Sequence, residues 1–264
     1  MERFFVNIPY PMLSARVKDA VARRLFPEIV LDASTLDRLD RKAALRLAKR
    51  LREKGIENTI HGPFRDLSPG GADPKIRAVT KERLYQTMEL AEIFRPRCVV
   101  FHSGYDPWRF QGYERLWLKN SVETWGPVVE RAEEIRITLA VENVFDNTPT
   151  PILSLLEHIG SPRLRHCLDV GHLNVYGNTP MDQWVKTMAP YIVEIHLHDN
   201  TGDRDDHLPL GEGNIDFLKL RRLIRQHVKD RPLYSLEPAR EEDLEASIRG
   251  FMQLMRDKRS LTRS

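Results

Sequence analysis

Eight short apolar segments are spaced along this 264-residue chain, and a segment with helical periodicity follows each of them. Alternating strand and helix patterns are typical of parallel sheets, because parallel strands need a crossover, usually a helix, between them. The predicted strands are residues 4–8, 28–32, 57–60, 98–101, 138–141, 165–168, 192–197 and 232–236. The predicted helices are residues 12–26, 35–54, 74–94, 105–134 with their leading loop, 152–159, 182–188, 214–227 and 241–255.

This pattern predicts an α/β fold with a single (β/α)8 TIM barrel over residues 1–264, ending in a basic tail at about 257–264. An open doubly wound sheet is the second choice. It is disfavoured because no glycine-rich phosphate-binding motif follows the first strand.

Composition limits the classes of function. The net charge of +3 is too small to indicate nucleic-acid binding without a localised basic patch. Cys98 and Cys167 lie in apolar segments, which predicts buried thiols and no disulfide. No apolar run approaches the roughly 18–20 residues of a membrane span, and no signal peptide is recognisable. We therefore expect a soluble cytoplasmic protein with no membrane contact.

Six consecutive predicted strands, the third to the eighth, end at residues that can bind a metal. These residues are His61, His102, Glu142, Asp169, His196 and Glu237. In a TIM barrel the carboxyl ends of the strands converge at one face, so these side chains should become neighbours. Three converging carboxylates repel one another, and a divalent cation relieves that repulsion. Histidine next to carboxylate favours zinc, manganese, cobalt or iron over magnesium or calcium.

The segment after the seventh strand carries a high density of further candidate ligands. Asp199, Asp205 and His207 follow His196 within a dozen residues. Considered alone, this segment is also compatible with a solvated acidic turn that contains incidental histidines. Its position next to five other strand ends of the same kind favours a metal site.

A resemblance to a known superfamily rests on these residues. The matching positions are Glu142, Asp169 with His172, His196 with Asp199, Asp205 and His207 before the sequence 210–213, and Glu237. Together they resemble the xylose isomerase-like TIM-barrel superfamily, over roughly residues 61–237. That superfamily contains sugar isomerases and epimerases, inosose-processing enzymes and the endonuclease IV (AP endonuclease family 2) enzymes.

The isomerase and epimerase branch implies one divalent metal, zinc or manganese, held by two glutamates, an aspartate and a histidine. The corresponding residues here are Glu142, Asp169, His196 and Glu237. In that branch the two glutamates exchange a proton with a substrate carbon, and the residue matching His172 contacts a substrate oxygen. The resemblance thus implies a metal-dependent isomerase or epimerase acting on a small carbohydrate, either a sugar, a sugar phosphate or a polyol.

The endonuclease IV branch implies the alternative, a phosphodiesterase with three zinc ions and nine ligands. The five additional ligand positions match His61, His102, His172, Asp205 and His207. Nucleic acid is an expected partner only under this alternative. The loop 202–207 argues against it, because Arg204 is accompanied there by three aspartates. A barrel that only binds a ligand is a third possibility, although binding alone does not require paired carboxylates on a metal.

The candidate substrate contacts are His61, His102, Arg65, Trp108, His198 and Arg204. Asn7 and Asp32, at the ends of the first two strands, could either reach substrate or stabilise turns. The aromatic segment 105–113 is compatible with a lid, a stacking surface or a subunit contact. The sequence leaves open the substrate, the number and identity of the metals, and the oligomeric state.

Overall fold

Eight parallel strands close into a barrel in the computed structural model, which describes residues 3–256. The strands, in chain order β1 to β8, are Phe5–Pro9, Pro27–Val30, Thr59–His61, Val99–His102, Leu139–Glu142, Leu164–Asp169, Ile192–Leu197 and Leu233–Leu236. Each strand pairs with its neighbour in sequence, and β1 pairs with β8 to close the barrel. The predicted (β/α)8 fold is confirmed, while the predicted tail at 257–264 lies outside the described residues.

Helices surround this barrel. The α-helices α1 to α12 are Tyr10–Ala15, Val17–Ala22, Ala33–Asp37, Arg41–Glu53, Pro74–Phe94, Pro107–Phe110, Glu114–Ile135, Thr150–Ile159, Val170–Tyr176, Met181–Met188, Phe217–His227 and Leu244–Arg256. A 3₁₀ turn, Glu241–Asp243, precedes α12.

Two long helices predicted from the sequence are each broken in the structure. The region 12–26 forms α1 and α2, because the backbone of Arg16 leaves the helical conformation (φ −115°, ψ 25°). The region 35–54 is divided between α3 and α4. There the Asp40 carboxylate accepts a hydrogen bond of 2.8 Å from the Lys42 amide and so starts a new helix.

The helix α9 is absent from the sequence prediction. It begins directly at the end of β6, where Asp169 Oδ1 accepts a 2.6 Å hydrogen bond from the His172 amide. A strand residue therefore serves as the N-cap, with no intervening polar turn to indicate a helix start. The consequence is functional, because α9 places His172 beside the strand ends.

The main hydrophobic core lies between the barrel and the helices. Trp117, Trp125 and Trp184 are fully buried there, and burying a large apolar side chain contributes about 1.5–3 kcal/mol. Cys98 and Cys167 belong to a separate, smaller buried cluster and are both free thiols, as predicted.

The register between neighbouring strands places the candidate ligands next to one another. The Cα of His102 pairs with that of Glu142 on β4 and β5, and Asp169 pairs with His196 on β6 and β7. None of the helices among residues 3–256 is both long and apolar enough to cross a bilayer.

Candidate metal centre

Glu142 lies at the centre of the converged strand ends. Its Oε2 is 3.0 Å from His61 Nε2 and 3.4 Å from His102 Nε2. Its Oε1 is 3.2 Å from His172 Nδ1 and 3.5 Å from His196 Nδ1. One buried carboxylate therefore contacts four imidazoles, brought together from β3, β4, β7 and α9.

His196 joins this group to the remaining carboxylates. Its Nδ1 lies 3.2 Å from Glu237 Oε1 and 3.9 Å from Asp169 Oδ2, in addition to its approach to Glu142. This nitrogen is buried and finds no hydrogen-bond partner within the described part of the chain. Ligand atoms of Glu142, Asp169 and His196 all lie within 4.8 Å of one another. An unpaired imidazole nitrogen facing several carboxylate oxygens fits a divalent cation with mixed nitrogen and oxygen ligands.

A second group of possible ligands lies on the loop side of the same centre. Asp205 Oδ2 is 3.1 Å from His172 Nε2 and 3.3 Å from His207 Nε2. The ring of His198 stacks on that of His207 with the ring centroids 3.7 Å apart. The ligand atoms of His172, His198, Asp205 and His207 all lie within 4.8 Å of one another. A third group joins His61, His102 and Glu142. The nine predicted ligand positions thus come together in these three adjoining groups, with Glu237 next to His196 of the first group.

Two imidazoles that contact Glu142 differ widely in pKa. Burial disfavours an imidazolium at His61, but the hydrogen bond and the charge of Glu142 outweigh it and raise the pKa of His61 to about 9. Consistent with a charged ring, His61 Nδ1 also lies 2.8 Å from the Gly62 carbonyl oxygen. At His102 burial prevails and lowers the pKa to about 3. Neighbouring imidazoles of one chemical type therefore carry different charges.

The carboxylates remain ionised in spite of their burial. Burial would raise the pKa of Glu142, but the charge of His196 and the surrounding hydrogen bonds hold it well below its usual range. Burial likewise opposes the charge of Asp205, whose pKa is nevertheless lowered by hydrogen bonds from His172 and His207. Carboxylates that stay charged when buried are suited to holding a cation.

Two further glutamates lie buried beneath the centre, inside the barrel. Glu28 Oε1 is 3.2 Å from His196 Nε2, and Ser235 Oγ donates a 2.5 Å hydrogen bond to Glu28 Oε2. Contact with Glu28 leaves the opposite nitrogen of His196 facing Glu142 and Glu237. Glu194 is also fully buried, and burial together with the charge of Glu28 raises its pKa to about 8. At neutral pH, Glu28 is therefore the ionised member of this pair.

Asp199 fastens the loop that carries Asp205 and His207. Its two carboxylate oxygens accept hydrogen bonds of 2.9 to 3.2 Å from four backbone amides, those of Asn200, Gly211, Gly213 and Ile215. Gly213 passes so close that a Cβ there would lie 2.3 Å from Asp199 Oδ1. Asp199 is thus an acceptor for backbone amides and not the metal ligand that its place in the sequence suggested, because both of its carboxylate oxygens are engaged in these bonds.

A cavity of about 670 Å³ lies above the centre. The predicted contacts His61, His102 and Arg65 line it. His198 is buried behind Asp169, and exposed Arg204 does not border this cavity among the described residues. Trp108 lines a neighbouring cavity instead.

Several residues at the site were not assigned to it from the sequence. The ring of Phe64 stacks on that of His102 with the ring centroids 4.3 Å apart, and Glu28 contacts His196 from the barrel interior. The alternation of side chains along a strand would have placed Glu194 on the same side as His196, but gives no indication of Glu28 on a distant strand. The sequence left the roles of Asn7 and Asp32 open between substrate contact and turn stabilisation. In the structure Asn7 donates a 3.0 Å hydrogen bond to Glu237 Oε1, and the Asp32 side chain caps α3.

The chain belongs to the xylose isomerase-like TIM-barrel family, whose model matches residues 26–257, and the predicted superfamily is thereby confirmed. The uncharacterized protein MJ1311 of Methanocaldococcus jannaschii is 32% identical over 178 residues. That match spans 65% of this chain and 61%, less than two thirds, of the relative.

Two further similarities involve proteins described as epimerases or epimerase-like. L-ribulose-5-phosphate 3-epimerase UlaE of Escherichia coli O157:H7 is 25% identical over 211 residues, covering 76% of this chain and 73% of that enzyme. The crystal structure of a D-tagatose 3-epimerase-like protein superposes with a TM-score of 0.82 at 26% identity. That superposition covers 96% of this chain and 97% of the other.

Proposed function

We propose that this protein is a divalent-metal-dependent epimerase or isomerase that acts on a sugar, a sugar phosphate or a related polyol. The observation that carries the proposal is the pair Glu142 and Glu237. These two carboxylates come from different strands and lie 3.5 and 3.2 Å from one nitrogen of His196. The epimerases among the similar proteins support the choice of a carbohydrate substrate.

The residues that would hold the metal are Glu142, Asp169, His196 and Glu237, with zinc or manganese preferred by this ligand set. When bound, such a cation polarises a substrate carbonyl and so acidifies the adjacent C–H bond. The proposal allows one to three ions, because further groups of possible metal ligands adjoin these four residues.

The chain's own carboxylates carry out the proton transfer. One of Glu142 and Glu237 removes the proton from the carbon next to the carbonyl, and the electron pair of that C–H bond moves into the enediolate. The other glutamate, which begins the cycle protonated, returns its proton to the opposite face of the same carbon, which gives the epimer and leaves the first glutamate protonated. Delivery to the neighbouring carbon, together with transfer of a proton between the two enediolate oxygens, gives the isomer. His172 orients a substrate oxygen, since it borders the cavity and is held in place by Asp205.

The test is solvent deuterium incorporation, followed by proton NMR in D₂O for protein loaded with Mn²⁺ or Zn²⁺. The substrate panel contains D-tagatose, D-psicose, D-fructose and L-ribulose 5-phosphate. We expect metal-dependent exchange at one carbon, abolished by chelation and reduced about 10²- to 10⁴-fold in Glu142→Gln and Glu237→Gln. Glu212→Gln, which alters an exposed loop carboxylate, is the matched control and should retain full activity. Exchange that survives chelation or both substitutions would contradict the proposal.

A multinuclear zinc phosphodiesterase is the second candidate, favoured by the three adjoining groups of ligand atoms. The lining of the central cavity weighs against it. Its arginines are Arg65 and Arg109, and its histidines lie among the six carboxylates that line the same cavity, whereas a nucleic-acid backbone requires an excess of positive charge. Cleavage of abasic DNA by protein containing three zinc ions per chain would reverse this preference.

A further inference from the structure

A second cavity, here called the side cavity, opens beside the central one and has a volume of about 1140 Å³. Both cavities are bordered by Tyr105, Asp106, Phe145 and Tyr176. These shared residues follow β4 and β5 or end α9, so the two cavities adjoin at them. A molecule with one ring at the centre and a second ring beyond these residues would occupy both cavities.

The side cavity presents aromatic surface to solvent. Trp108 is 91% exposed and Phe145 is 46% exposed, although both are large apolar side chains. Phe145 is held edge-on against Tyr176, with ring centroids 4.9 Å apart. Exposed aromatic rings grouped at a cavity mark a binding surface more often than isolated exposed residues do.

The polar lining of the side cavity is mostly uncharged. Gln111, Asn147, Thr148 and Asn178 supply amide and hydroxyl groups. Such groups donate and accept hydrogen bonds with neutral hydroxyls. Aromatic faces next to side-chain amides match the two surfaces of a sugar ring, which has apolar C–H faces and a polar hydroxyl edge.

The charged lining does not favour an anionic occupant. Asp106 and Glu114 are acidic, and Arg115 is the single basic side chain that borders the side cavity within residues 3–256. Asp106 accepts from the Trp108 amide and pairs with Arg109 at 3.3 Å, and Glu114 accepts from the Gly112 amide. A phosphate or a nucleic-acid backbone would therefore meet no excess of positive charge here.

We propose that the side cavity binds a second, uncharged ring of the substrate, a sugar residue or an aryl group linked to the sugar that is held at the metal centre. This inference rests on the proposed function and narrows its substrate class to glycosides and oligosaccharides. Trp108 stacks on the second ring, and the amides of Asn147 and Asn178 bind its hydroxyl groups.

The test compares the binding of D-fructose with that of lactulose, in which a galactose ring is attached to the same ketose. The emission that acrylamide quenches reports on Trp108, because the other three tryptophans are at most 1% exposed. With the metal-loaded protein we expect lactulose to bind about tenfold more tightly than D-fructose and to shift the Trp108 fluorescence. Trp108→Ala should abolish that advantage and leave both the D-fructose affinity and the metal content unchanged.

Tyr113→Ala is the matched control. Tyr113 is a 63% exposed aromatic residue near Trp108 that does not line the side cavity as described, so the lactulose advantage should persist. Equal affinity for the two sugars, or equal weakening of both by Trp108→Ala, would overturn the inference while the proposed function stands. Absence of binding by either sugar would overturn the inference, and deuterium exchange with the full substrate panel would then decide the proposed function.

Two further results would also refute the side-cavity assignment. One is a larger effect of D-fructose 6-phosphate than of lactulose on Trp108 fluorescence, because that would mean an anionic occupant. The other is protection of Trp108 from acrylamide quenching in the sugar-free protein together with a dimeric sedimentation coefficient, because a second copy of the chain would then cover the cavity.

Discussion

Replacing Glu28 with glutamine removes one buried charge and preserves the shape of the side chain. In the structure Glu28 Oε1 lies 3.2 Å from His196 Nε2, on the side opposite the proposed metal. The carboxylate fixes which imidazole nitrogen is protonated, so that Nδ1 is free to act as a ligand. Glu28→Gln should therefore weaken metal binding without removing a metal ligand.

The magnitude follows from the change in hydrogen-bond acceptor. A hydrogen bond to a charged group contributes about 1.5–3 kcal/mol, and one between neutral groups about 0.5–1.5 kcal/mol. The difference of about 1–1.5 kcal/mol corresponds to roughly a tenfold loss of metal affinity. That value lies at the lower end of the roughly 10- to 100-fold losses found when partners of metal ligands are replaced.

Glu194→Gln is the matched control for this prediction. Glu194 is equally buried and lies two residues from His196, but burial and the charge of Glu28 raise its pKa to about 8. Its carboxyl group is thus already neutral at pH 7, and glutamine should change metal affinity less than about twofold. Competition with a chromogenic chelator measures both constants. Equal losses in the two variants, or no loss in Glu28→Gln, would refute the assignment of charge to Glu28.

Three further predictions concern stability. Without metal, the raised pKa of His61, about 9 against 6.5, contributes about 3 kcal/mol below pH 6.5 that is lost as pH rises to about 9; because the pKa of His207 is also raised to about 9, urea unfolding should show a loss about 3 kcal/mol smaller in His61→Gln than in the wild type, and parallel pH profiles would contradict it. Removing a metal present at about 100 times its Kd should cost about 2.7 kcal/mol and lower the Tm by about 5–11 °C, whereas an unchanged Tm would contradict metal linkage. Asp199→Asn should destabilise the protein by about 2–4 kcal/mol in urea unfolding, because the amide cannot accept from all four backbone N–H groups; a loss below about 0.5 kcal/mol would contradict that role.

The barrel and the identity of its strand-end residues were predictable because both depend on local pattern. An apolar run followed by His102 or Glu142 reads as a strand and its end, and parallel strands in a closed barrel must converge there. The same logic identified His196, which pairs with Asp169 at the end of β6 and with Ser235 on β8.

The remaining features depend on contacts that local pattern does not encode. Asp169 caps α9 as well as facing the centre, and a single residue with both roles gave no separate helix signal. Glu28 occupies the barrel interior beneath His196, and its position depends on the register across several strands. Arg204 and His198 have suitable side chains for substrate contact, but the fold of the loop after β7 turns them away from the cavity lining.

The metal content of each chain tests the central claim most directly. Elemental analysis should be made on protein purified without chelators or a metal-affinity column, with Glu142→Gln treated in the same way. We predict at least one equivalent of zinc or manganese in the wild type and a clear deficit in the variant. Three zinc ions per chain would direct the next assays to phosphodiester cleavage. Wild-type protein that holds no metal even after reconstitution would contradict the interpretation of the strand ends as a metal centre.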